Sequence, residues 1–228
     1  MDDLRRRNLL LVVGAAFIGW LALRNGSIST QSLLFFAALV PSVILHEVSH
    51  GAAALVFGDD TARRAGRLTL NPVPHIDPVW TLLVPGMLVL AGAPVIGMAK
   101  PVPVNPRRMR SPRNQSMITS LVGPGTNIVL ALISAAAYRT FLPSGTMLQL
   151  VLAFGVVNVV LAVFNLIPIP PLDGSAVVER FIPNRYLESY FRVRQYAPLI
   201  FLALFFMGSG FLTRLMSPAV DLWFELIT

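Results

Sequence analysis

The sequence predicts an all-α polytopic membrane protein, and three observations carry that prediction. Of 228 residues, 55% are hydrophobic and only 13% are charged. A soluble domain has about 45–50% apolar and about 25% charged residues. The mean hydropathy is +0.69, and the apolar residues fall into long runs separated by polar, arginine-rich connections. This composition excludes a disordered chain and argues against a soluble globular one. The absence of cysteine excludes disulfides and thiolate metal sites.

Six apolar runs can be read: Leu9–Leu23, Leu33–Phe57, Val79–Ala99, Met117–Ala137, Thr146–Ile167 and Ala197–Leu212. Arg5-Arg6-Arg7 before the first run also suits a signal peptide, but no A-x-A site follows. An uncleaved first span is therefore expected. About five or six transmembrane helices follow from these lengths. The third run carries Pro85-Gly86 and Gly92-Ala93-Pro94, which interrupt a helix. It either spans or re-enters.

Charge discriminates between the two. The net charge is +7, with 18 Lys and Arg. With the N-terminus inside, six spans put eight basic residues inside and ten outside, against the positive-inside rule. A re-entrant third run puts fifteen inside and three outside. The basic loop Lys100–Arg113 then reads as a lipid-facing, orientation-setting loop rather than a nucleic-acid site. The whole of 1–228 reads as one integral-membrane domain with a core at about 31–180.

The second run contains His46-Glu47-Val48-Ser49-His50, an H-E-x-x-H pattern. On a helix, residues i and i+4 share a face. Two imidazoles there can hold one zinc ion, and the intervening glutamate can act on the attacking water. An ionisable group at the centre of a membrane helix costs about 2.5 kcal/mol or more. Three within five residues need a compensating partner, and a metal is the economical one.

A catalytic zinc takes three protein ligands. Asp173 is the leading candidate for the third. It follows Pro168, Pro170 and Pro171 at the end of the fifth run, where the backbone must be irregular. Irregular backbone at membrane depth belongs inside protein or beside a cavity. The re-entrant topology puts Asp173 on the same side of the bilayer as His46 and His50. The plain alternative for Asp173 is a helix N-cap. His75 and Asp77, in a proline-rich loop, are a rival pair for ligation, for support of the ligands, or for a structural turn. Arg67-Leu68-Thr69-Leu70-Asn71 alternates polar and apolar and predicts a small membrane-associated β element. Such an edge could pair with an extended substrate.

With these motifs in place, the sequence resembles the site-2 protease family of intramembrane zinc metalloproteases. The likeness rests on His46–His50, on Gly123-Pro124-Gly125-Thr126-Asn127, and on the N-x-x-P-x-P-P-L-D-G element Asn165–Gly174. It implies zinc ligation by His46, His50 and Asp173, general-base catalysis by Glu47, and an oxyanion contact from Asn165. Asn127 would face the site in a role the resemblance leaves vague. Ser175 stands where relatives often have a second glycine. The likeness is to the minimal branch without a PDZ or CBS domain. It implies peptide hydrolysis within or near transmembrane segments, with membrane-tethered regulators such as anti-sigma factors among the substrates. It further implies a multi-pass location in a bacterial cell membrane, with the active site toward the cytoplasm. The competing expectation is a membrane transporter or channel with a structural zinc site, which has no need of Glu47.

Overall fold

A computed structural model describes residues 29–77, 81, 99–197, 199 and 209–228. The first apolar run, nearly all of segment 79–99 and most of the sixth run lie outside these residues.

Every regular element among the described residues is helical. Helix α1 spans Thr30–Val56 and begins at Ser29, whose hydroxyl accepts the Ser32 N–H at 3.1 Å. That contact satisfies one of the unpaired donors of the first turn. A four-residue α2 covers Thr61–Arg64. Helix α3 spans Pro112–Phe141, with proline at its first position, where no N–H is required. It ends at Leu142, in the left-handed region at φ 44°. A three-residue link leads to α4, Gly145–Asn165. Then follow α5 (Ser175–Phe181), α6 (Asn184–Arg194) and α7 (Ser209–Ile227).

Helices α1, α3 and α4 are long and apolar enough to cross a membrane, with 27, 30 and 21 residues. At about 1.5 Å per residue each exceeds or matches the about 30 Å hydrocarbon layer. They pack on one another through small residues. Ala38, Ser42, Gly51 and Ala54 on α1 are buried, as are Ala131, Ser134 and Ala135 on α3. Leu33, Phe35, Phe36, Ile128, Val129, Leu132 and Ile133 face outward. Large apolar groups outside and small ones between the helices are the pattern expected in lipid. The largest side chains with less than 2% exposure are Asn127, Asn158, Asp59, Pro124 and Ser42; of these Ser42, Asn127 and Asn158, one on each of α1, α3 and α4, put a polar layer between the three helices.

Helix α7 was not legible as an element, because Arg214, Asp221 and Glu225 interrupt its hydropathy. Trp223 seats it. The indole lies where a Cβ on Gly155 of α4 would be 1.9 Å away, and its Nε1–H donates to the Ala131 carbonyl at 2.9 Å.

The strand expected at Arg67–Asn71 is absent; Leu68, Thr69 and Leu70 form bends. Local hydrogen bonds take the backbone instead. The Asn71 N–H goes to Thr69 Oγ1, the Val73 N–H to Asn71 Oδ1, and the Thr69 carbonyl accepts from His75 Nε2. Side chains of this kind compete directly with a strand ladder. Arg67 is buried and donates to the carbonyls of Lys100 and Pro101.

Asp59 fastens the turn after α1. Its carboxylate accepts from the N–H and hydroxyl of Thr61 and from the Asn105 N–H. Burial pushes this carboxyl up, but the Thr61 and Asn105 hydrogen bonds and the nearby Arg108 outweigh burial and hold it below the usual range. The stability it supplies is complete above the unfolded pKa of about 3.9 and is lost as pH falls through the lower folded value. Asp59→Asn is expected to melt at lower temperature than wild type at about pH 6, with the gap closing toward about pH 3. Thermal unfolding of the detergent-solubilised protein across that range measures it.

Candidate active site

His46 and His50 sit one turn apart on α1 and are buried, their rings edge to face with centroids 4.7 Å apart. Each has its outer nitrogen engaged. His46 Nδ1 donates to Asn127 Oδ1 at 2.5 Å, and His50 Nδ1 donates to the Thr119 carbonyl at 2.7 Å. That leaves both Nε2 atoms turned to the same point, 3.1 Å apart.

Asp173 reaches this point from the far end of α4. The chain leaves the helix after Asn165 and turns back, the Gly174 N–H bonding to the Asn165 carbonyl at 2.7 Å. A side chain at 174 would stand 2.2 Å from the Leu166 carbonyl, so the turn closes only on glycine. The Pro170–Pro171 bond is cis. Asp173 does not cap α5; the cap position is Gly174. Its Oδ2 lies 3.1 Å from His46 Nε2 and 3.3 Å from His50 Nε2. Arg113, at the start of α3, holds the far end of α5. It donates to the carbonyls of Glu179, Arg180 and Ile182 and to Asn184 Oδ1.

These three donors form the cluster among the described residues able to hold a metal ion. The fit can be tested on its edges. Four ligands at about 2.0–2.1 Å around zinc stand about 3.3 Å from one another in a tetrahedron. The observed edges are 3.1, 3.1 and 3.3 Å. Two bare imidazole nitrogens and a carboxylate at such spacing repel unless a cation lies between them. Two His and one carboxylate are also a donor set used for catalytic zinc.

Gly123 makes room for the pair. A Cβ there would lie 2.4 Å from His50 Cε1 and Nε2 and 2.8 Å from His46 Cε1. The glycine of the G-P-x-x-N element is thus a steric requirement of the site, and its asparagine is the partner of His46.

Glu47 lines the same cavity of about 580 Å³ as His46, His50, Asn165 and Asp173. Its Oε2 accepts the Val102 N–H at 2.8 Å. Sequence reasoning missed this contact, having read Lys100–Arg113 only as a lipid-facing loop. The segment before Asn105 instead crosses the site, tied by Arg67, Asp59 and Glu47. Pro101 and Pro103 cannot donate; Val102, between them, can. Asn165 donates one amide hydrogen to the Leu161 carbonyl at 2.9 Å. Its amide carries two, so one remains. His75 is buried in the loop, bonded to Thr69, and neither it nor Asp77 belongs to the donor cluster.

Residues 140–208 match the model for "Peptidase family M50". Two similar proteins bear the name "Putative zinc metalloprotease". YwhC of Bacillus subtilis is 36% identical over 183 residues, covering 75% of this chain and 80% of its own. Rip2 of Mycolicibacterium smegmatis is 30% identical over 223 residues, covering 95% and 81%. No solved structure matches the chain.

Proposed function

The chain belongs to peptidase family M50, the site-2 protease family of zinc metalloproteases, and from that premise we propose that it cuts peptide bonds within or beside the transmembrane segments of other membrane proteins. One observation carries this reading: the His46–His50–Asp173 cluster and Glu47 share one cavity between helices long and apolar enough to cross a membrane.

In this proposal His46, His50 and Asp173 hold the zinc. A zinc ion bound there supplies a Lewis acid and makes water a usable nucleophile near neutral pH. Glu47 takes the proton of the attacking water and returns it to the leaving amine. The Val102 N–H fixes one of its carboxylate oxygens, leaving the other for this exchange. The remaining amide hydrogen of Asn165 donates to the oxygen that gains charge as the carbonyl is attacked. A substrate helix must unwind before its carbonyls reach the cavity. Membrane-tethered regulators such as anti-sigma factors are substrates of the fitting kind. The fuller architecture in this proposal is five spans with a re-entrant third run, in a bacterial cell membrane, with the site toward the cytoplasm. The fifteen-to-three distribution of basic residues supports that orientation.

The test uses the purified full chain with a single-span substrate in mixed micelles. Mass spectrometry is expected to place the cut within or next to the span. Stripping zinc with a chelator should stop cleavage, and added zinc should restore it. Cuts confined to soluble loops, or cleavage indifferent to zinc removal, would overturn the proposal.

A further inference from the structure

His50 and His46 are oriented by different means. His50 donates to a backbone carbonyl, which can only accept. His46 donates to a side-chain amide, and an amide can turn over and present its NH₂ instead. Asn127 in the wrong sense would donate to His46 Nδ1 and move the ring proton to Nε2, where the metal must bind.

A second amide removes that freedom. Asn127 Nδ2 donates to Asn158 Oδ1 at 2.8 Å. Asn158 Nδ2 donates to the Phe154 carbonyl and to Ser42 Oγ, both at 2.8 Å. Ser42 in turn donates to the Ala38 carbonyl at 2.7 Å. The Phe154 carbonyl accepts only, so the Asn158 atom facing it must be nitrogen. Its oxygen then faces Asn127, whose facing atom must be nitrogen. Asn127 therefore offers its oxygen to His46, and His46 must carry its proton on Nδ1. Ser42, Asn127 and Asn158 are all fully buried, so no water can reverse the order.

We propose that Asn158 is a positioning residue for the metal site: anchored on Phe154 and Ser42, it locks the direction of the Asn127 amide and so selects the His46 tautomer whose Nε2 faces the zinc. The proposal rests on zinc ligation by His46 and extends it 31 residues along the chain from Asn127, to a helix that carries neither histidine.

The test is zinc affinity of the full-length protein in detergent, measured by competition with a chelator. Asn158→Leu, which keeps the branched outline but removes both polar atoms, should weaken zinc about ten- to hundredfold, as loss of a partner behind a ligand does. Asn127→Asp places an accept-only group against the Asn158 oxygen and should weaken zinc as well. The double variant should bind more tightly than either single one, because a carboxylate cannot present a donor and no longer opposes Asn158. Packing damage alone would make the two losses add. An additive double variant, or Asn158→Leu with wild-type affinity, overturns the relay and leaves the zinc site standing. A wild-type protein without zinc affinity overturns both.

Discussion

Glu47→Gln is expected to lower peptide hydrolysis by about 10²–10⁴-fold while leaving zinc in place. The two side chains have nearly the same shape. The amide oxygen of glutamine can still accept the Val102 N–H that Glu47 accepts at 2.8 Å. None of the three clustered donors is touched, and the two imidazoles keep their partners, Asn127 and Thr119. What is lost is the capacity to take up a proton. The variant should bind substrate normally and hold it uncut. Zinc content by mass spectrometry, with cleavage of a membrane-embedded substrate, measures both halves. Cleavage within tenfold of wild type would mean that another group is the base. Loss of zinc would mean that Glu47 helps hold the metal.

Gly123→Ala is expected to empty the metal site, lowering zinc affinity by about a hundredfold or more. The new methyl group would meet both rings, at 2.4 Å and 2.8 Å. The rings cannot retreat without giving up Asn127, Thr119 or the approach to Asp173. Gly125 lies half a turn along the same helix and supplies the control, since a Cβ there meets nothing within 4 Å. Gly125→Ala should keep zinc and gain about 0.5–1 kcal/mol of helix stability. Equal zinc binding by the two variants would show that the contact at Gly123 is not a constraint.

The candidate site was largely legible in the sequence because it is concentrated in few residues, and His46, His50 and Asp173 do come together. Charged groups inside apolar runs are expensive, so His46, Glu47 and His50 announced themselves. Three prolines before Asp173 marked an interrupted helix, and that interruption is where the third donor stands. The amide layer was harder to read. Ser42 and Asn158 are unremarkable polar residues in apolar runs, and their meeting spans 116 positions. Only tertiary packing gives them a role. The contact of Glu47 with Val102 is also distant in sequence, 55 positions apart, and uses a backbone group, which no residue type betrays. The strand at Arg67–Asn71 failed for a local reason. Thr69 and Asn71 spend their side chains on nearby backbone, and a five-residue alternation is too short to resist that. Helix α7 was hidden by its charges, although Val220, Trp223 and Ile227 hold a helical spacing on the face that packs against α3 and α4.

The polar centre and apolar exterior of the bundle bear on how it comes apart. Chemical denaturants report the surface newly wetted on unfolding, and the heat-capacity increment reports the apolar part of it. Here many large apolar side chains already face outward, and what separation of α1, α3 and α4 uncovers includes many small groups, amides and hydroxyls, with Trp223 and Ile227 of α7 the large apolar exceptions. Urea should therefore act on this protein with a shallow slope, and heating should show a small heat-capacity step. Zinc release is the sharper gauge of integrity, because its donors lie on α1 and just beyond α4 and meet only while those helices are assembled.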